Sequence, residues 1–84
     1  MPHNFSEQLH KSIGKNVSRI RRSKKISQLK LAYALGYKSV SPISSAEIYY
    51  NHIHFNVEQL VKIAYVLECE VCDFFDSKEI MKKG

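Results

Sequence analysis

Apolar side chains recur along the first quarter of the chain with a helical period. Phe5, Leu9, Ile13, Val17 and Ile20 follow one another at spacings of four, four, four and three, which places them on one helical stripe. The stripe predicts a first helix over about 7–23, with Ser6 as its N-cap. Glu7 then falls in the first turn, where the helix dipole favours an acid. Lys15, Arg19 and Arg22 lie on the opposite, wet face, and Lys24-Lys25 closes the helix.

A shorter pattern starts behind Ser27, a good N-cap. Leu29, Ala32 and Leu35 are spaced three apart, and Gly36 suits the residue just past a helix end, because glycine enters the left-handed region without strain. A third helix can begin between Ser39 and Pro42, since proline tolerates the first helical turn. It turns Ile43 and Ala46 inward and ends on Glu47. Ala32 and Ala46 are small enough to let the two helices cross closely. Two short helices joined by a tight glycine turn read as a helix-turn-helix.

After Glu47 the chain becomes aromatic-rich, Ile48-Tyr-Tyr-Asn-His-Ile-His-Phe55. The expectation is the end of helix three, then a loop pinned to the core by Ile53 or Phe55. Asn56 and Gln59 form a capping-box pattern for a fourth helix, with Val57, Leu60, Ile63, Ala64 and Leu67 inward. Val61, Tyr65 and Val66 widen its apolar surface beyond one buried stripe. A fifth helix is expected over about 70–75, carrying Val71, Phe74 and Phe75, with 77–84 as a tail. The fold expected is a compact, all-α, five-helix single domain with its core over about 7–76.

Charge changes the picture. Residues 1–38 hold nine bases against one acid, a net of +8; residues 39–84 hold four bases against seven acids, a net of −3, and together they make the +5 of the chain. A surface this lopsided is the electrostatic footprint of a polyanion partner.

Other classes are set aside by what the sequence lacks. The first residues have neither a basic region nor an apolar core of a signal peptide, and no apolar run approaches the ~18–20 residues of a membrane span. A cytoplasmic protein is expected. Cys69 and Cys72 form one Cys-x-x-Cys pair, half of what a structural zinc site needs, so the cysteines are expected in the core and no metal is expected. No nucleophile–base pair, carboxylate dyad or phosphate-cradling glycine loop stands out, so neither an enzyme, a cofactor nor a small-molecule substrate is expected.

The order of several short signals resembles the lambda-repressor-like (Xre/Cro-type) helix-turn-helix family. Its carriers are Ile13-Gly14, Val17 and Arg21, then Ser27-Gln28, Leu31-Ala32 and Gly36, then Ile43-Ser44 and Glu47, and finally Leu60, Ile63-Ala64, Leu67 and Phe75. Together they run through most of the chain. The resemblance implies a DNA-binding domain, bacterial or phage-encoded, whose third helix enters the major groove. It gives Gln28 a backbone phosphate to bond, which the chemistry of an amide at a helix N-terminus also suits. Arg22, Lys25, Lys30 and His52 are further phosphate candidates. It pairs Arg21 with Glu47 as an ion pair between helices one and three. Base readout would fall to Lys38, Ser39, Val40, Ser41 and Ser45, although Ser39 and Ser41 are equally suited to capping.

The chain departs from the family pattern in three places. Tyr49 stands where glycine is usual, His52 and His54 replace basic loop residues, and the turn from Gly36 to Ile43 is about one residue longer. The function expected is a sequence-specific transcriptional regulator, a repressor, binding double-stranded DNA as a homodimer through Val61, Tyr65 and Phe74. The alternative is an antitoxin-like or adaptor protein in which segment 48–55 contacts a protein partner.

Overall fold

A computed structural model describes residues 4–75 of the chain. Among them are four α-helices and two short 3-10 segments, and no strand. The helices are α1 (Phe5–Ser23), α2 (Gln28–Ala34), α3 (Ser41–Glu47) and α4 (Val57–Leu67). The 3-10 segments are Tyr50–His52 and Val71–Phe75. The expected fifth helix is therefore a 3-10 turn, and the expected tail lies outside the described residues. Five residues pinned at Phe74 are too few to propagate an α-helix against its nucleation cost.

Helix α1 begins two residues before the expected start. The Asn4 carbonyl already accepts from the Gln8 N–H, so Ser6 lies inside the first turn rather than capping it. Half-buried Phe5 extends the apolar stripe and draws the chain into the helix. Ile13, Val17 and Ile20 reach the core as expected.

Helix α2 opens on the Ser27 hydroxyl, which accepts from the Lys30 N–H at 3.0 Å. Its buried face is Leu31 and Ala32, not Leu29, which is exposed. Seven residues make about two turns, so the face is set by where α3 and α4 lie rather than by a long periodic stripe. The helix closes with Tyr37 N–H on the Ala32 carbonyl and Gly36 N–H on that of Tyr33, with Gly36 at φ +90°. Helices α1 and α4 close with the same pair of bonds, but around Lys25 (φ 58°) and Glu68 (φ 55°).

Helix α3 starts at Ser41 with Pro42 in its first turn and no side-chain cap. It buries Ile43 and Ala46 against α1 and α2. Close approach to α1 depends on Gly14: a Cβ there would lie 2.6 Å from the carbonyl oxygens of both Ala46 and Glu47. Phe55, not the exposed Ile53, anchors the following loop in the core.

Helix α4 has the full capping box: the Asn56 side chain accepts from Gln59 N–H at 2.7 Å and the Gln59 side chain from Asn56 N–H at 2.9 Å. Leu60, Ile63, Ala64 and Leu67 face the core, whereas Val57 at the first position points to solvent. Phe74 completes the core beside α1, its carbonyl accepting from the Asn16 amide at 3.0 Å.

Candidate nucleic-acid interface

The centre of the candidate site is a buried ion pair. Arg21 on α1 meets Glu47 at the end of α3 side-on, Nε to Oε2 at 2.8 Å and Nη2 to Oε1 at 3.2 Å. Arg21 Nη1 donates to the Ile26 carbonyl at 2.8 Å, so the guanidinium fork also holds the α1–α2 turn. Gln28, at the start of α2, donates its amide to Glu47 Oε1 at 2.7 Å. One carboxylate thus joins three helices, and it is only 4% exposed.

This arrangement alters the place of Gln28. Its amide was expected to face a phosphate, yet the structure turns it onto Glu47, because a buried carboxylate needs its remaining lone pairs filled. The other phosphate candidates stay outside. Arg22, Lys25 and Lys30 are exposed around the α1–α2 junction, Arg22 with its Nε on the Ser18 carbonyl at 3.3 Å. His52 is exposed in the loop after α3.

Four of the readout candidates, Lys38 to Ser41, lie at the start of α3, and Ser45 lies in its last turn. Lys38, Ser39 and Ser41 are exposed, and Val40 and Ser45 are half-buried. Neither Ser39 nor Ser41 caps the helix. At seven residues α3 is only about 10 Å long.

Behind α3, the chain passes through left-handed backbone at Tyr49, Asn51 and His52. Tyr49 occupies the position where the resemblance implies glycine, and its φ of 56° explains that preference. The Tyr49 ring lies against His10 and His54, and these two imidazoles stack at 3.8 Å. Burial, and then the neighbouring His54, push His10 below its ordinary value of 6.5. Nothing in the sequence marks His10 as a partner of this loop; Gly14, by contrast, is visible as a glycine set between Ile13 and Val17.

Compared with known proteins, the chain matches no family model and no curated protein.

Of the expected dimer contacts, Val61 and Tyr65 are exposed, but Phe74 is fully buried and cannot reach a partner. Its ring fills the gap between α1 and α4, the most apolar place within reach. The cysteines also differ from expectation: Cys69 is half-buried and Cys72 exposed. Cys69 follows the end of α4 and packs against the edge of the core, while Cys72 lies on the 3-10 turn whose buried position is taken by Phe74. Burial, and then Asp73, raise the Cys69 thiol above its ordinary value. Among the described residues no three His, Cys, Asp or Glu side chains converge to hold a metal ion, and no helix is long and apolar enough to cross a membrane.

Proposed function

We infer that this protein is a DNA-binding transcriptional regulator in which α2 and α3 act as a helix-turn-helix, with α3 as the element entering the major groove. One observation carries the reading. Between residues 8 and 57 the sequence has a single acid, Glu47, and that acid is buried and neutralised by Arg21. Lys11, Lys15, Arg19, Arg22, Lys24, Lys25, Lys30 and Lys38 are all exposed over the same stretch, with no exposed acid among them. From residue 8 to the end of α3 a polyanion meets only cationic or neutral groups, and Glu7 in the first turn of α1 is paired with Lys11 at 3.3 Å.

In this reading Arg22, Lys25 and Lys30 hold backbone phosphates, while Lys38, Ser39, Val40, Ser41 and Ser45 touch base edges. That set has a lysine for guanine and a valine for a thymine methyl but no bidentate fork, so DNA shape carries part of the specificity. A homodimer would span half-sites about one helical turn, ~34 Å, apart.

The test is selection from a random duplex pool at two salt concentrations. Enrichment of a pseudo-palindrome is expected, with log K falling against log salt at a slope of roughly −5 to −9 if six to ten phosphates are neutralised. Charge reversal at Arg22 or Lys38 should abolish retention. An unenriched pool would overturn the reading in favour of the adaptor alternative, for which Ile48, Tyr50 and Ile53 offer exposed apolar contacts beside α3. Tyr49 and Phe55 are poor probes of that alternative, because one is packed on His10 and the other lies in the core.

A further inference from the structure

Both cysteines open onto one cleft that uses none of the residues assigned to phosphate or base contact. Cys69 and Cys72 line it together with Arg19 and Ile20 of α1 and with Asp73, around a space of about 360 Å³. Both thiols are free, one half-buried and the other exposed. The turn that ends α4 brings them there. Cys69 N–H donates to the Ala64 carbonyl at 3.0 Å and closes the helix. Asp73 N–H then donates to the Glu70 carbonyl at 3.0 Å, so the chain turns tightly between the two cysteines. Phe74, fully buried, holds the far side of that turn against α1. The two sulfurs are therefore presented to the cleft by a backbone that is already fixed.

We propose that Cys69 and Cys72 form a two-thiolate site for a soft monovalent cation, copper(I). The donor count selects the ion. A structural zinc site takes four ligands, and among the described residues no third His, Cys, Asp or Glu joins these two in a metal-binding group. The carboxylate in the cleft, Asp73, is a hard oxygen donor whose Oδ2 already accepts from the Glu70 N–H at 3.0 Å. Soft thiolates select copper(I), and a filled d shell lets two of them satisfy it in a near-linear arrangement.

Binding releases the two thiol protons to solvent and forms two Cu–S bonds, with no change in oxidation state. The loaded pair carries a single net negative charge. Arg19 in the cleft and Lys24, just past the end of α1, stand close enough to offset it. The acids Glu70 and Asp73 of the same turn draw the incoming cation.

The experiment is an anaerobic titration of the full, reduced chain with copper(I) held by the coloured chelator bicinchoninate. Wild type should withdraw one copper(I) per chain, bleach the chelator complex and gain an ultraviolet thiolate-to-copper charge-transfer band, without a rise in sedimenting mass. Cys69→Ser and Cys72→Ser should each abolish the withdrawal while keeping the helical circular dichroism of wild type. Cys72 is exposed, so its replacement leaves the core intact even if that of Cys69 does not. Arg19→Gln should weaken the site about tenfold, as expected for a group outside the ligand shell. Copper left on the chelator overturns the proposal. So does equal withdrawal by either serine variant, which moves the ion to other ligands. One copper per two chains with a doubled mass places the ion between copies and overturns the site within one chain. Zinc(II) retained through gel filtration on the same two cysteines overturns the choice of ion. None of these outcomes depends on whether the protein binds a duplex.

Discussion

Arg21 Nε lies 2.8 Å from Glu47 Oε2, across 26 positions of sequence, with both side chains almost wholly withdrawn from solvent. The pair does two jobs with one contact. It fastens the end of α3 to α1, and it neutralises the one acid that the sequence holds between residues 8 and 57.

Replacing Glu47 by Ala should destabilise the domain by about 3–5 kcal/mol, because Arg21 would remain buried without its counter-ion and Gln28 without its acceptor. Urea unfolding measures this directly. The double replacement Arg21→Met with Glu47→Leu should recover most of the loss, since removing both charges leaves no uncompensated ion. If the double variant were as unstable as Glu47→Ala, the cost would lie in packing and not in the stranded charge.

Gly14→Ala should destabilise by about 1–3 kcal/mol, although alanine is the better helix former by about 1 kcal/mol. The new methyl would sit 2.6 Å from two backbone oxygens of α3, and backbone cannot swing aside as a flexible side chain would. The expected lowering of the melting temperature is opposite in sign to what helix propensity alone gives. A raised melting temperature would mean that α1 and α3 can part without loss.

The legibility of these features in the sequence follows the kind of interaction behind them. The α1 stripe, the Ser27 cap and the Asn56–Gln59 box depend on neighbours three or four residues away, and each forms as expected. Segments of seven residues or fewer are decided from outside. Leu29 fits an apolar spacing but faces solvent, and Phe74, expected at a surface contact, fills the core. In the candidate site the Arg21–Glu47 pair is reachable only through the resemblance, since no local pattern links positions 26 apart. Gln28 as a third member is not legible at all: its amide suits a phosphate as well as a carboxylate, and only the fold decides between them.

Lys25 and Glu68 hold left-handed backbone at the ends of α1 and α4 without being glycine. Each conformation costs a residue with a Cβ about 1 kcal/mol. Lys25→Gly and Glu68→Gly should therefore each raise stability by about 0.5–1 kcal/mol, and together additively, as the sites share no partner. Their effects on DNA binding should differ. Glu68→Gly should leave affinity unchanged, whereas Lys25→Gly should weaken it and make the salt slope shallower by about one, the loss of one phosphate contact. Equal affinities for the two variants would remove Lys25 from the interface.

The stacked imidazoles of His10 and His54 should make the fold sensitive to mild acid. His10 titrates below its ordinary value of 6.5 in the folded chain, chiefly because it is withdrawn from water and secondly because His54 lies against it. Its buried Nδ1 has no hydrogen-bond partner among the described residues, so a proton added there gains nothing. The unfolded chain therefore binds protons more readily than the folded one in this range, and stability rises with pH. The contribution is complete above about 6.5 and is lost as pH falls from there through the lower folded value. Melting temperatures taken from about pH 7.5 to pH 5 should decline, and His10→Phe, which keeps a flat ring against His54 but cannot titrate, should show a shallower decline. Because His10 is on α1 and His54 follows the strained turn at Tyr49, the acid-sensitive contact joins segment 48–55 to α1, beside the anchor that Phe55 makes in the core. Hydrogen exchange at that segment should accelerate on acidification beyond the intrinsic pH trend, ahead of α4. If His10→Phe kept the full wild-type pH slope, the proton responsible would have to be sought elsewhere in the chain.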